Sequence, residues 1–580
     1  MLLNLINWLY LAFLCYTYGQ GFLGIIQRWL PNNDDRKLSV FLIIITGLAV
    51  LGSITNYLSI IIPISWGANL IILGGAIGLF WLNYRLIIEQ TESLREGLQK
   101  TPKFFLLLSI ILGLLLVFQA SVGPFHYDTG LYHSQAVQWI EKYKVVPGLG
   151  NLHYRFAYNS LLFPLASLVS FSFIFPPGLH SINGFILLIC LLFSFSSIRH
   201  FIKNQYQFSH VIQFLIALPL IEMIYDENFK SVDVSSLSSD LPVSALTLVT
   251  TVLITQYIEH NQSQKNISYL VFILPLIITF IVCIKISALP LICWIVYLIY
   301  QELKQNRLKS VIIITGIILS LIIPQFIRNI ILSGYLIYPL SNVDLFNVNW
   351  KIPQEIADLD RSNIKKWAIM LATKGEKPLD QDLSTWIPLW LQSNLSSNIA
   401  LKFLISSIII FVLSLLIWLR DILLYLKRFF PVYLTLIIAT TFWFMTAPLV
   451  RYGYGFVTAL SVIFVAPCFS LLSSQITKSV KLTKIIVFAY GCLILVVSLN
   501  NVSFYSSDIA YLIRPMDYPK VKVEDVAVSE TIIYRPIEGI QGNDQCWNSA
   551  FPCSPYIVPQ LQMRGKSLSQ GFMVKSQRFE

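Results

Sequence analysis

Charge is what this chain has least of. Asp, Glu, Lys and Arg supply 12% of its 580 residues, about half the share usual in soluble domains. Hydrophobic residues supply 56%, and the mean hydropathy is +0.68. A string of soluble domains is therefore excluded. Strands of alternating polarity are missing too, which excludes a membrane β-barrel. No phosphate-cradling Walker loop occurs, no dinucleotide glycine fingerprint follows a strand, and no HExxH pair or internal repeat is present. A cleavable signal peptide is not expected, because 2–26 is longer than a signal h-region and no basic flank precedes it. The net charge of +11 does not point to nucleic acid, because the basic residues are dispersed between apolar runs.

What remains is apolar runs of about twenty residues, long enough to cross a hydrocarbon core as helices. They predict an all-α polytopic membrane protein with about 13–14 transmembrane helices. The bilayer is the first expected partner, and a bacterial inner membrane the expected location. Basic segments at 28–37, 85–103, 259–265, 301–309, 420–428 and 478–484 are expected to be cytoplasmic loops. The intervening segments then face the extracytoplasmic side. The chain divides into N-terminal transmembrane helices (1–103), a transmembrane core (104–327) with an outer loop at 123–178, an extracytoplasmic loop (328–399), C-terminal transmembrane helices (400–500) and an extracytoplasmic tail (501–580). The run 161–175 is short, contains Pro164 and ends at Pro176-Pro177, so an interfacial or re-entrant helix is expected there. Trp350, Trp367, Trp386 and Trp390 suit a surface at the membrane interface.

Six cysteines lie in apolar runs, where a small hydrophobe is the default reading. Cys546 and Cys553 lie in the polar segment CWNSAFPC. A disulfide between them is expected rather than a metal site, because no further ligands lie nearby. Such a bond implies an oxidising compartment.

The segment HYDTGLYHSQAVQWIEKYKVVPGLGNLHYRFAY, 126–158, differs from everything around it. It holds His126, His133 and His153 among the seven histidines of the chain. Residues 132, 136, 139, 140 and 143 share one face at helical spacing. A short amphipathic helix on the outer surface is expected, with Asp128 as its N-cap. Asp128 could equally serve as a general base for an acceptor hydroxyl. His126 and His133 flank it without any fixed zinc spacing. A divalent metal is not required by the sequence, and whether one binds stays open. Arg155 either anchors to head groups or contacts a phosphate. Lys285 interrupts an apolar run, where an ionisable residue suggests function and snorkelling beside Pro290 is the alternative. Arg328 and Arg451 sit at outer helix ends. With Lys285 they would form a phosphate clamp if they converged. Asp233 and Asp240 flank the next outer loop, as acidic partners or as a solvated face. Asp358-Leu-Asp360 and Asp380-Gln-Asp382 fit a DxD pattern that is common by chance.

The layout resembles the type C (GT-C) glycosyltransferases, which use polyprenyl-phosphate sugars at the outer face. In that superfamily an acidic residue sits in the first large outer loop, just after a spanning helix, with interfacial helices behind it. Asp128 in HYDTGLYH occupies that position. The acidic second loop with Asp233 and Asp240, the break at Lys285 and the late Arg451 match more loosely. Asp128 has no adjacent carboxylate, where the superfamily often has a pair. The stretches YDTGLYH, PGLGNLHYR and CWNSAFPCSPY also resemble a group of bacterial membrane proteins, cyanobacterial ones among them.

The resemblance implies an inverting sugar transfer from a polyprenyl-phosphate donor to a lipid, glycan or protein acceptor. Asp128 would be the catalytic base or a metal-holding acid. Lys285, Arg328 and Arg451 would bind the donor phosphate, and His126, His133, His153 and Arg155 would shape the acceptor side. Two alternatives stay open: a transporter or flippase of lipid-linked sugars or polysaccharide, and a non-catalytic assembly subunit.

Overall fold

The computed structural model describes residues 1–29, 38–123, 125–202, 207–225, 233–261, 268–375, 382–476, 488–496, 506–538, 544–558 and 560–575. Among these residues nine helices are long and apolar enough to cross a membrane, or up to ten with the bent pair Trp66–Leu82 and Tyr84–Lys100. The chain is a multi-pass integral membrane protein. Three further apolar helices, Phe208–Ile224, Leu270–Ile284 and Phe430–Thr446, are shorter. The expected 13–14 spans exceeded this count mainly because these runs stop short. Leu270–Ile284 ends where Lys285 turns extended (φ −151°, ψ 122°).

Three expected loops differ. The segment 85–103 is mostly a helix, Tyr84–Lys100, bent 77° from the span before it. The segment 420–428 is no loop at all. It forms the last turns of Ile399–Arg428, where Arg and Lys are good helix formers that suit a helix C-terminus. The reading of 328–399 as a plain loop missed two helices, Gln354–Ala372 and Leu383–Leu395. Trp386 and Trp390 in the second are buried against Phe444 rather than spread at an interface. The basic segment 478–484, most of 28–37 and 259–265, and residues 226–232 of the acidic loop that ends at Asp240 lie outside the described residues. The run 161–175 contributes the eight-residue helix Leu162–Val169, about 12 Å long and too short to cross.

One continuous apolar core runs from the N-terminal helices through the C-terminal ones into the tail. Close helix contact is set by small residues. Leu2–Trp29 meets Val40–Ile61 so tightly that a Cβ on Gly47 would lie 1.6 Å from the Cys15 carbonyl oxygen. Asp240–Asn261 is the central helix, and 94% of its apolar window is buried. Its hydroxyls at Thr247, Thr250, Thr251 and Thr255 each donate to the carbonyl four residues earlier, so none is left unsatisfied in the buried helix.

The tail carries the only strands among the described residues. They form two antiparallel pairs, Lys522–Val528 with Thr531–Glu538 and Leu561–Met563 with Phe572–Val574. An all-α reading overlooked them because the flanking apolar runs dominate the composition. Cys546 and Cys553 are joined by a disulfide, with their Cα atoms 5.9 Å apart.

Candidate functional site

Three helix ends meet at one end of the bundle. Asp240 opens the central helix, Arg451 lies in the first turn of Val450–Ile476, and Lys285 closes Leu270–Ile284. Gly455 lets the first two approach, since a Cβ there would lie 2.7 Å from the Ser244 Cα. Arg451 Nε therefore stands 3.4 Å from Asp240 Oδ2. Lys285 Nζ bonds the other oxygen, Oδ1, and lies 3.8 Å from the centre of the Tyr452 ring. A lysine in an apolar run is thus held by a carboxylate and an aromatic face, not by snorkelling.

The segment that follows the helix Lys103–Val122 adds the second carboxylate. Asp128 Oδ1 is 3.3 Å from Arg155 Nη1, and Oδ2 is 3.7 Å from Arg451 Nη2. His126 Nδ1 lies 3.7 Å from Oδ2, while its Nε2 accepts from Arg451 Nη1. Arg451 joins the two acids. The expected capping role is not observed. Asp128 is itself helical (φ −64°, ψ −19°) and its side chain bonds no helix amide. The helical path starts earlier and runs through a π-helical turn, Thr129–His133, into Ser134–Lys142. π-turns are frequent at functional sites. Nor does this helix lie on a surface: Ser134, Gln135, Val137 and Glu141 are as buried as Ala136, Trp139 and Ile140. The spacing showed the apolar face correctly but could not show that the tail covers the polar one.

Burial alone would raise the Asp128 pKa. The positive surroundings of His126, Arg451, His133 and Arg155 outweigh it and bring the carboxyl down to about 2. His133 behaves oppositely. Burial drives its pKa down to about 3 despite the opposing field of Asp128. Asp233 is fully buried, and burial raises its pKa, with His126 and Arg451 opposing. The cluster thus sets three basic side chains (Arg155, Arg451, Lys285) around the carboxyl groups of Asp128 and Asp240. That balance favours an incoming anion. Among the described residues no group of three or more His, Cys, Asp or Glu is arranged to hold a metal. Asp128 and Asp240 each already face two basic side chains, so the donor set fits an anionic group better than a divalent ion.

Two expected members stand apart. Arg328 does not complete the three-cation clamp. It is 3% exposed and donates to Asn159 Oδ1 (2.9 Å) and Ser59 Oγ (2.6 Å). It lines a narrow cleft of about 20 Å³ with Trp139, Tyr143, Phe156, Phe163 and Leu332. His153 lies beneath the site in a stack between Tyr154 and Tyr556, and neither ring nitrogen has a partner. The DxD pairs form no acidic site. Asp358 accepts from Ser341, Asp360 accepts from the Tyr158 hydroxyl at 2.8 Å, and Asp382 accepts from Ser384. Asp380 lies outside the described residues.

Sequence reasoning missed Tyr132 and Tyr452, whose rings lie near the guanidinium groups of Arg155 and Arg451. It also missed Asp544, which accepts from the hydroxyls of Tyr127 and Tyr556. The aromatic density around 127–158 was the available signal for the first pair. For Asp544, more than four hundred residues away, there was none.

A family model described as Domain of unknown function (DUF8201) matches residues 1–458. The chain belongs to this family. No curated protein and no solved structure matches the chain. Asp128, Arg155, Asp233, Asp240, Lys285 and Arg451 all fall inside the DUF8201 match, whereas the disulfide and both strand pairs lie beyond it.

Proposed function

We propose that this DUF8201 protein is a membrane glycosyltransferase of the type C kind, working at the extracytoplasmic face on a polyprenyl-phosphate-linked sugar. The observation that carries the reading is the convergence of Asp128, Arg155, Arg451 and His126 beside the Asp240–Lys285 pair at one end of the bundle. A transfer from a sugar phosphate needs two things there. One is an ionised carboxylate to orient the acceptor hydroxyl and take its proton as the new bond forms. The other is positive charge for the phosphate that leaves.

Asp128 answers the first need. Its low pKa makes it a weak base but keeps it ionised at every physiological pH, which suits a proton lost late in the reaction. Arg155, Arg451 and Lys285 answer the second. Arg451 contacts both acids, so it would be redistributed when a phosphate arrives. Arg328, in its own cleft, supplies a cation whose hydrogen-bond partners are neutral.

Reconstitution into proteoliposomes with polyprenyl-phosphate sugars and candidate acceptors tests the reading. Sugar appearing on the acceptor, with loss on Asp128→Asn, supports it. Donor lipid crossing the bilayer unchanged, with no transfer, replaces it with a transporter.

A further inference from the structure

The disulfide-closed segment of the tail is built onto the Asp128 turn, residue against residue. Trp547 is 2% exposed. Its N–H donates to the Gly130 carbonyl at 3.0 Å, inside the π-turn. Its own carbonyl accepts from Ser134 Oγ (2.9 Å) and Gln135 Nε2 (2.8 Å). Gln135 is gripped twice more. Nε2 also donates to the Ala550 carbonyl (2.9 Å), and Oε1 accepts from the Cys553 N–H (3.2 Å). One residue before the disulfide, Gln545 Nε2 donates to the Tyr127 carbonyl (3.1 Å). The indole lies directly on Gly130, where a Cβ would come within 2.4 Å of it. Tail bonds therefore fall on Tyr127, Gly130, Ser134 and Gln135, on both sides of Asp128.

A π-turn is rare and occurs mostly as a single turn within an α-helix, so its persistence here calls for support from outside the helix. Trp547 itself sits at φ +46°, a conformation that side-chain-bearing residues avoid. A short loop would relax out of it unless something closed the loop, and the Cys546–Cys553 bond brackets Trp547 and does so.

We propose that the disulfide loop 546–553, through Trp547, is the positioning element that holds the Asp128 turn in its working shape. The proposal rests on reading Asp128 as the reactive carboxylate. The loop touches no reacting atom. It fixes the direction in which the Asp128 carboxylate meets Arg155 and Arg451. The π-turn with its glycine lies within the DUF8201 match, while the loop that clamps it lies outside.

Backbone hydrogen exchange on the full chain in nanodiscs tests this without any donor or acceptor. Three variants attack the same contact: Trp547→Ala, the double variant Cys546→Ser/Cys553→Ser, and Gln135→Met, which leaves the tail untouched. Each should raise exchange at 127–135 by about tenfold or more, as expected when one or two buried hydrogen bonds are lost. Exchange in the central helix at 241–258 should not change. Unaltered protection at 127–135, or an equal rise in the central helix, overturns the proposal. The two readings fail separately. If no sugar transfer is ever found, the exchange result still stands. If transfer depends on Asp128 but is undiminished in the variants with a loosened turn, the function survives and the positioning role falls.

Discussion

Two groups of polar side chains are satisfied in opposite ways. In the first, Asp128, Asp240, Arg155, Arg451 and Lys285 answer charge with charge. In the second, Arg328 has only the neutral Asn159 and Ser59, and His153 has no hydrogen-bond partner. A closed network of charges holds its own shape and makes a defined reaction site. A buried cation held by neutral groups keeps its field available for a ligand. On the proposed reading the first group holds the reacting carboxylate and the donor phosphate, and Arg328 in the second adds a separate contact to the donor.

The sharpest way to break the comparison is Asp128→Asn, which keeps size but removes charge. Transfer should fall by roughly 10²–10⁴-fold, the usual worth of a general base, while the thermal midpoint shifts little. Full transfer in a folded variant would sink the assignment of chemistry to this group.

Arg451→Glu comes next. It breaks contacts with both acids at once and reverses the field where the phosphate would sit. Donor affinity should fall by about 10–100-fold, or about 1.4–2.8 kcal/mol, and stability should fall with it, because Asp240 loses a buried partner. A donor titration in proteoliposomes that matches the parent protein would show that the first group does not bind phosphate.

Arg328→Gln should separate the groups. Gln can still bond Asn159 and Ser59, and no ion pair is lost. Donor KM should therefore rise by about tenfold with little change in kcat or thermal midpoint. A stability loss at constant KM would make Arg328 a packing residue, and its separate contact to the donor would go.

These distinctions mark where the sequence stops being legible. Span class, the position of Asp128 after a spanning helix and the break at Lys285 could all be read locally, because hydropathy and a lone lysine are local signals. Pairing could not. Lys285 reads as a cation interrupting an apolar run and Arg328 as one at a helix end, and neither reading says which of them meets a carboxylate. Only the Gly455–Ser244 approach brings Arg451 to Asp240, and Asp240 also holds Lys285. Nothing comparable brings a carboxylate to Arg328. Asp128 looked like an N-cap because Asp before an amphipathic run usually is one. The helical path instead begins at Tyr127 and passes into a π-turn that is packed against a tail segment four hundred residues away. The strands of the tail were hidden for the same reason: their partners are short, and their apolar content is small beside that of the spans.

The smallest expected effect concerns pH, and it compares one histidine from each group. Burial pushes His133 and His153 down to about 3, against Asp128 in the first case and together with Arg155 in the second. An unfolded histidine titrates near ~6.5. Below that the unfolded chain takes up protons that the folded chain refuses, so stability falls as pH drops from about 6.5 towards 3. The slope is at most about 1.4 kcal/mol per pH unit for each histidine. Asp128 does not confuse the window. Its pKa is depressed to about 2, so the stability it adds is present above its unfolded value near ~3.9 and is lost only below that. Between pH 6.5 and 4.5, then, His153→Phe should flatten the acid limb. It should also hold or raise stability at pH 7, because it keeps the ring stack and removes two unpartnered nitrogens. His133→Gln should flatten the limb by a similar amount but lower stability at pH 7, because His133 faces Thr129 and Asp128 and its ring packs on Phe163. Denaturation midpoints at pH 7, 6 and 5 decide it. Equal behaviour of the two variants at pH 7 would mean that the two groups are not satisfied differently after all.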